Sequence, residues 1–388
     1  MEGYINKDLE LMVYINKFKK DNSIQNNPQR KKIVSNIKEA TAVKSKFDVC
    51  IHLGIPSEFK NLGNYTIGIT AGVETDRCPV QFLSGCNRVD LVITPSQFTK
   101  DTFLQTEYID DGNRIKCTTP IEVISESVKS TFYWKNTTES ESLNSQLSLI
   151  KESFCYLFVG QWTSSQQDDG GRKNIDSLIN TFVSAFEHES NKPALVLKTN
   201  GVDFSLLDEV AIRDRIKVAL HGVENPPSVY LVHGELTESE MSALYNHPKI
   251  KCHISHTRGE GFGRPLLEAS LSGKPVIAPK WSGHLDFLTK KGALLIPGKL
   301  KEVGVVNSLF CKGARWFDVD SDRSKELMLE VFTNYEKYKL KAQALADYNI
   351  KKFNRESIFN IYDNVFNKYI PIRKREVELK LPTIKKLP

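Results

Sequence analysis

Two glutamates eight positions apart, Glu260 and Glu268, bracket the run Gly261-Phe262-Gly263-Arg264-Pro265 inside the segment Ile254–Leu288. Glycines let a backbone come close to a ligand. Pro265 suits the first turn of a helix, so the amides of Gly261 to Arg264 lie at a helix N-terminus, where anions bind. Glu268, one turn inside that helix, is placed to accept hydrogen bonds from hydroxyls. A phosphate site beside hydroxyl-binding carboxylates suits a sugar nucleotide.

Such a loop needs a scaffold of strands and helices, and the chain supplies one. Apolar runs predict strands at Phe47–His52, Tyr65–Thr70, Val89–Thr94 and Ile121–Ile124, with helices between them and Ser96 as the N-cap of a helix over Gln97–Thr106. Residues 8–20 and 30–45 have helical spacing, so the chain has a helical start instead of a buried strand and glycine turn. The polar stretch Lys135–Gln146 reads as a linker. Strands then resume at Phe154–Gly160, Ala194–Lys198, Val229–Val232, Lys251–Ile254, Pro275–Ala278 and Ala293–Ile296. Helices are predicted over Ile175–Phe186, Leu207–Leu220, Ser239–Tyr245, Ser324–Tyr348 and Arg355–Phe366, and an extended tail over residues 371–388. Strands alternating with helices give an α/β fold with parallel sheets. The division implied is 1–146, 147–370 and the tail 371–388, with ligands in the cleft outside the strand C-termini.

A length of 388 residues fits two domains. The net charge of +6 is modest and carries no basic stripe interleaved with aromatics, so nucleic acid is not an expected partner. The seven cysteines are scattered with no CxxC pair and read as free thiols of a reducing, cytoplasmic compartment. No run of about 18 apolar residues predicts a membrane span, and the first residues lack a signal-peptide core. The basic residues Arg373, Lys374 and Arg375 are interrupted by Glu376 and Glu378, so a solvated terminus is favoured over peripheral contact with an anionic membrane.

The second half resembles the C-terminal domain of a retaining glycosyltransferase of the GT-B fold, most like glycosyltransferase family 4. The resemblance rests on FVG at Phe158–Gly160, RKN at Arg172–Asn174 and VHGEL at Val232–Leu236. It rests further on GEGFGRPLLEA at Gly259–Ala269, GKPVIAP at Gly273–Pro279 and SGHLDFL at Ser282–Leu288. It covers Ser153–Tyr369 and, more thinly, Phe47–Phe103. It implies two Rossmann-like domains facing a cleft, the N-terminal one shortened, and transfer of a sugar from a nucleoside-diphosphate sugar to a sugar, glycan, lipid or protein acceptor.

By the same resemblance, Glu268 would bind the ribose hydroxyls and Glu260 would face the transferred sugar. The amides of Gly261, Phe262 and Gly263, with Arg264, would face that sugar and the diphosphate. Lys173 would neutralise the diphosphate. The family's arginine after the first strand is replaced by Gln161, with Arg172 or Lys198 as substitutes. The loop containing Gly234 and Leu236 would edge the base. On the acceptor side, the loop Gly72–Asp76 makes Glu74 a candidate catalytic contact.

Departure of a nucleoside diphosphate builds negative charge that fixed cations stabilise, so neither a metal nor a cofactor is expected. Asp318-Val319-Asp320 resembles a metal-binding DxD but reads as a turn and helix cap far from the site. His52 and His284 are minor candidates. A GT-B epimerase or phosphorylase and a catalytically weak sugar-nucleotide-binding protein are the alternative readings.

Overall fold

The computed structural model describes residues 13–15, 37–39, 47–136, 140–163, 171–289, 291–304 and 306–371. Two short strands, β1 (Val13–Ile15) and β2 (Ile37–Glu39), pair in parallel apart from the other sheets. Strand therefore replaces the expected helices over 8–20 and 30–45 wherever those stretches are described. Val13-Tyr14-Ile15 joins β-branched and aromatic residues, which favour strand. The rest of both stretches lies outside the described residues, as do residues 372–388 of the expected tail.

The first large sheet is fully parallel. Its strands are β3 (Phe47–Leu53), β4 (Gly63–Ile69), β5 (Leu91–Thr94) and a last strand at Ile121–Val123, in that spatial order. Helices α1 (Val80–Cys86) and α2 (Gln97–Gln105) connect them, and the Ser96 side chain caps α2 by accepting from the Thr99 amide. An additional hairpin, β6 (Glu107–Asp110) with β7 (Asn113–Lys116), precedes that last strand, β8. Its two-residue turn places Asp111 at φ 45° and Gly112 at φ 79°, which an Asp-Gly pair accepts readily.

The expected linker is part helix. α3 (Glu141–Ser148) is capped by Ser140 and buries Leu143 and Leu147, so this polar stretch is anchored by an apolar stripe too short to stand out. Beyond it lies a six-stranded parallel sheet. Its strands are β9 (Cys155–Val159), β10 (Ala194–Lys198), β11 (Val229–Val232), β12 (Ile250–Ile254), β13 (Val276–Pro279) and β14 (Leu294–Ile296). They are arranged β11-β10-β9-β12-β13-β14, the doubly wound order whose direction of winding reverses between β9 and β12. Crevices outside the strand ends at such a reversal bind ligands.

Four helices cover this sheet within the same stretch: α4 (Ile175–Phe186), α5 (Leu206–Ala219), α6 (Glu238–Asn246) and α7 (Arg264–Leu271). A hairpin follows, β15 (Gly298–Glu302) with β16 (Arg315–Val319), which the apolar pattern did not reveal. Where one helix was expected over Ser324–Tyr348 there are two, α8 (Ser321–Thr333) and α9 (Tyr335–Phe353). Asn334 separates them at φ −119°, ψ 38°; both its amide and its side chain donate to the Glu330 carbonyl, the local competition that ends a helix.

The last helix, α10 (Arg355–Tyr369), returns to the first sheet, where Lys368 and the Tyr369 hydroxyl each meet Glu122 at 2.8 Å. The chain thus crosses between the two sheets twice, and the crossings touch where the Val128 amide donates to the Phe353 carbonyl at 2.8 Å. One core cluster accordingly joins Ile67 and Ile93 of the first sheet to Leu157 and Val196 of the second. Phe158, Phe182 and Phe186 are fully buried in another, as their apolar runs imply. No described helix is long and apolar enough to cross a membrane.

If α3 is part of the core, Leu147→Ala should cost about 2–5 kcal/mol by leaving a cavity, whereas in a solvated linker the change would be neutral. The shift of the urea midpoint between wild type and variant measures this.

Candidate active site

The loop leaving β9 and the loop leaving β12 flank the winding reversal, and each delivers charge to it. The first ends in Arg172 and Lys173, immediately before α4; Asn174, at φ 51°, turns the chain into that helix. The second carries Glu260. Its carboxylate is buried and receives hydrogen bonds from the Lys173 ammonium, from Arg172 Nη1 at 3.1 Å and from the Thr257 hydroxyl at 2.7 Å. Burial pushes the Glu260 pKa upward, but Lys173 and Arg172 more than offset this and hold it down at about 2.

The Glu260 backbone is also fixed. Its amide donates to Ser282 Oγ at 3.0 Å, and its carbonyl accepts from the Gly283 amide at 2.9 Å. His284 lies behind these groups, fully buried, with Nε2 donating to the Pro279 carbonyl at 2.7 Å and Nδ1 3.4 Å from Ser282 Oγ. Burial lowers its pKa, so the neutral ring supports the loop. Thr257 and Ser282 were not singled out from sequence, because hydroxyl residues beside a glutamate carry no signal of their own.

Glu74 comes from the other sheet. It follows β4, and its Oε1 lies 3.3 Å from Arg172 Nε. Burial raises the pKa of its carboxyl, Arg172 opposes that rise, and Glu260 adds to it. Two carboxylates and two cations therefore form one cluster spanning the cleft. The cations expected to meet a diphosphate are paired with Glu260 and Glu74 in this structure.

The glycine-rich loop departs from expectation in a related way. A Cβ on Gly261 would fall 2.3 Å from the Ala71 carbonyl oxygen, and one on Gly259 would fall 1.9 Å from the Glu74 carbonyl oxygen. The Gly261 carbonyl also accepts from Ser96 Oγ at 2.5 Å and Thr99 Oγ1 at 3.4 Å. These glycines thus permit contact between the two halves of the chain. Phe262 is a core residue, packed on Phe287 at 5.1 Å between ring centroids. Arg264, expected near the phosphates, reaches back to Glu126 at 2.7 Å.

Glu268 lies in α7, with Pro265 in the first turn as expected. The Tyr245 hydroxyl donates to its Oε2 at 3.3 Å. Burial raises its pKa to about 7; Arg264 and the Tyr245 hydroxyl oppose the rise, and Glu238 and Glu126 add to it. Lys198 is buried at the end of β10 and donates to the Gly234 carbonyl at 2.6 Å, so it braces the loop containing Gly234 and Leu236. Gln161 donates to the Gly201 carbonyl at 2.7 Å.

Asp320 caps α8, as read from sequence, but Asp318 is not remote. It accepts from Arg258 Nε at 2.5 Å, two residues from Glu260, because the β15–β16 hairpin folds back onto this loop. Among the described residues no group of His, Cys, Asp or Glu is disposed to hold a metal.

Residues 172–303 match the family model described as Glycosyl transferases group 1. A search of curated proteins finds no match. Among solved structures, a glycosyltransferase from Rickettsia africae ESF-5 aligns with a TM-score of 0.56 at 16% identity, covering 79% of this chain and 70% of that one. An α,α-trehalose-phosphate synthase (UDP-forming) from Burkholderia xenovorans, in complex with glucose-6-phosphate, aligns at 0.57 and 11% identity, covering 83% and 74%. Anabaena Alr3699/HepE in complex with UDP and glucose aligns at 0.53 and 15% identity, covering 78% and 72%. At these identities the likeness is one of fold, two Rossmann-like domains in the GT-B arrangement.

Lys173→Met should destabilise the protein by about 3–5 kcal/mol at pH 7, because a buried carboxylate loses a partner. The Glu260 pKa is depressed in the folded state. Its stabilisation is therefore present above its ordinary value and is lost as the pH falls toward about 2. The gap between variant and wild type in chemical denaturation should accordingly narrow from pH 5 to pH 3.

Proposed function

We propose, for a chain whose residues 172–303 form a group 1 glycosyl transferase domain on a GT-B fold, that it is a metal-independent, retaining transferase. It moves a sugar from a nucleoside-diphosphate donor to a sugar-bearing acceptor. The observation that carries this reading is the cluster of Arg172, Lys173, Glu260 and Glu74 at the winding reversal, with Glu268 one helix turn inside α7.

The donor's diphosphate takes Arg172 and Lys173 from their carboxylate partners. Both are fixed cations in a buried site, so they stabilise the charge that grows on the diphosphate as the sugar bond breaks, without a metal. Glu268 accepts from the ribose hydroxyls. Glu260, held at a pKa of about 2, is too weak a base to take a proton and serves as an electrostatic partner to the sugar and the cations. Glu74 has the higher pKa and meets the acceptor hydroxyl, taking its proton as the new bond to the anomeric carbon forms and the bond to the diphosphate breaks.

Glu74 and Arg172 are neighbours at 3.3 Å. In the proposed reaction, acceptor and leaving group therefore approach one face of the transferred sugar, and this neighbourhood supports retention. That Anabaena HepE was solved with UDP and glucose supports a uridine nucleotide as the first donor to try. The family 4 likeness and a cytoplasmic setting belong to the same reading. A second reading, a sugar-nucleotide-binding protein without turnover, is favoured by Gln161, which supplies a neutral side chain after β9.

Titration with UDP-, GDP- and ADP-sugars, followed by assay of diphosphate release, separates the two. Binding with release supports transfer, binding without release supports the second reading, and no binding excludes both. In this assay chelation should leave release unchanged, and a dependence on added divalent metal would overturn the metal-independent mechanism.

Binding should also depend on pH. Ribose hydroxyls favour the ionised Glu268, whose pKa is raised to about 7, so affinity should fall by about tenfold per pH unit below that value. Glu268→Gln should bind weakly with no such slope. A wild-type slope retained in that variant would remove Glu268 from the ribose site.

A further inference from the structure

The loop Gly72–Arg77 carries Glu74; within its own half it is tied by the Thr75 hydroxyl to the Arg77 carbonyl at 2.8 Å, by the Val73 amide to Thr99 Oγ1 at 3.4 Å and by Arg77 Nη2 to the Glu107 carbonyl at 3.1 Å. One flank rests on the glycine-rich loop, where the Glu74 carbonyl lies against Gly259. The other flank meets the β15–β16 hairpin, chiefly at Arg315. Arg315 donates from its amide to Asp76 Oδ1 at 2.7 Å and from Nε to Asp76 Oδ2 at 2.8 Å, and its carbonyl accepts from the Asp76 amide at 2.9 Å. Three hydrogen bonds thus join residues 239 positions apart, two residues from Glu74. The hairpin continues along the same loop, with Cys311 Sγ 3.9 Å from the Arg77 carbonyl.

We propose that Arg315 is a positioning residue. From the donor side of the cleft, through Asp76, it holds Glu74 against Arg172, and the hairpin acts as a releasable clasp between the two halves of the enzyme. The proposal rests on the transferase reading for what Glu74 then does and for the donor that has to enter beside it. Its releasable character follows from exposure. The Arg315 side chain is 53% exposed, and ion pairs of that kind are weak and screened by salt. The buried Lys173–Glu260 pair, at 15% and 10%, is not. A donor must enter between loops that touch at Gly259 and Gly261, so the contact across the cleft has to break and re-form. A weak pair at the hairpin allows this, and a strong one would not.

The clasp is tested without a substrate, so its failure and that of the transferase reading are separately visible. Cys311, on the hairpin, and Cys50, in β3, are both partly exposed and free. Their alkylation by iodoacetamide can be followed by peptide mass spectrometry. Arg315→Ala should speed alkylation of Cys311 by up to about fivefold, the range open to loss of one exposed charged contact, with Cys50 unchanged. Hydrogen exchange of the peptide spanning residues 70–78 should rise with it. Arg315→Lys should restore most of the protection, and added salt should mimic Arg315→Ala in the wild type. Wild-type rates at Cys311 and in the 70–78 peptide in Arg315→Ala would overturn the proposal. An equal rise at Cys50 would also overturn it, because that reports general loosening of the fold.

Discussion

A buried carboxylate must be matched by positive charge, and the site is arranged around that requirement at Glu260. Isolated ions are costly to bury, and a pair is tolerated only when its remaining hydrogen-bonding capacity is met. Lys173, Arg172, Thr257 and Ser282 satisfy Glu260 and its amide from three separate stretches of chain. The ends of β9 and β12 are therefore drawn together, and the winding reversal becomes a charged site. Arg172 extends the same arrangement across the cleft to Glu74. On the proposed function, an anionic ligand entering this site would exchange partners with the carboxylates already there.

The close approach of the two halves follows from small residues. Side chains at positions 259 and 261 would strike the carbonyls of Glu74 and Ala71, so only glycine allows the loops to meet. The GFG motif thus does two things. It leads into the N-terminus of α7, and it lets the loop after β4 lie directly against the glycine-rich loop that carries Glu260. Glu268 lies outside this knot of charge, with a pKa raised to about 7 and one hydroxyl donor, and so keeps capacity for a ligand.

Much of this was legible in the sequence. The central parallel strands β5, β10 and β13 are runs buried on both faces, and Phe154–Gly160 or Pro275–Ala278 could hardly be read otherwise. Ser96 and Pro265 announced their helices by cap and first-turn chemistry. The pairing of the site's charges with one another was not legible, because spacing along the chain brings Lys173 and Glu260 together only once the sheet order is known. The two hairpins were missed for different reasons. That at Glu107–Lys116 has an Asp-Gly turn signal that was visible, whereas the Gly298–Val319 hairpin has a long connection and a first strand, Gly-Lys-Leu-Lys-Glu, with no apolar run. α3 has only Leu143 and Leu147 to set against a run of polar residues, so composition favoured a linker. The hairpin at Gly298–Val319 is also what brings Asp318 next to Arg258, which no local pattern could show.

The exchange of partners by Arg172 and Lys173 is tested most directly by a crystal structure of the chain with UDP bound. The expected result is a diphosphate within hydrogen-bonding distance of both side chains, the ribose hydroxyls on Glu268, and Glu74 separated from Arg172. A diphosphate bound elsewhere, with the four-residue cluster intact, would contradict the account.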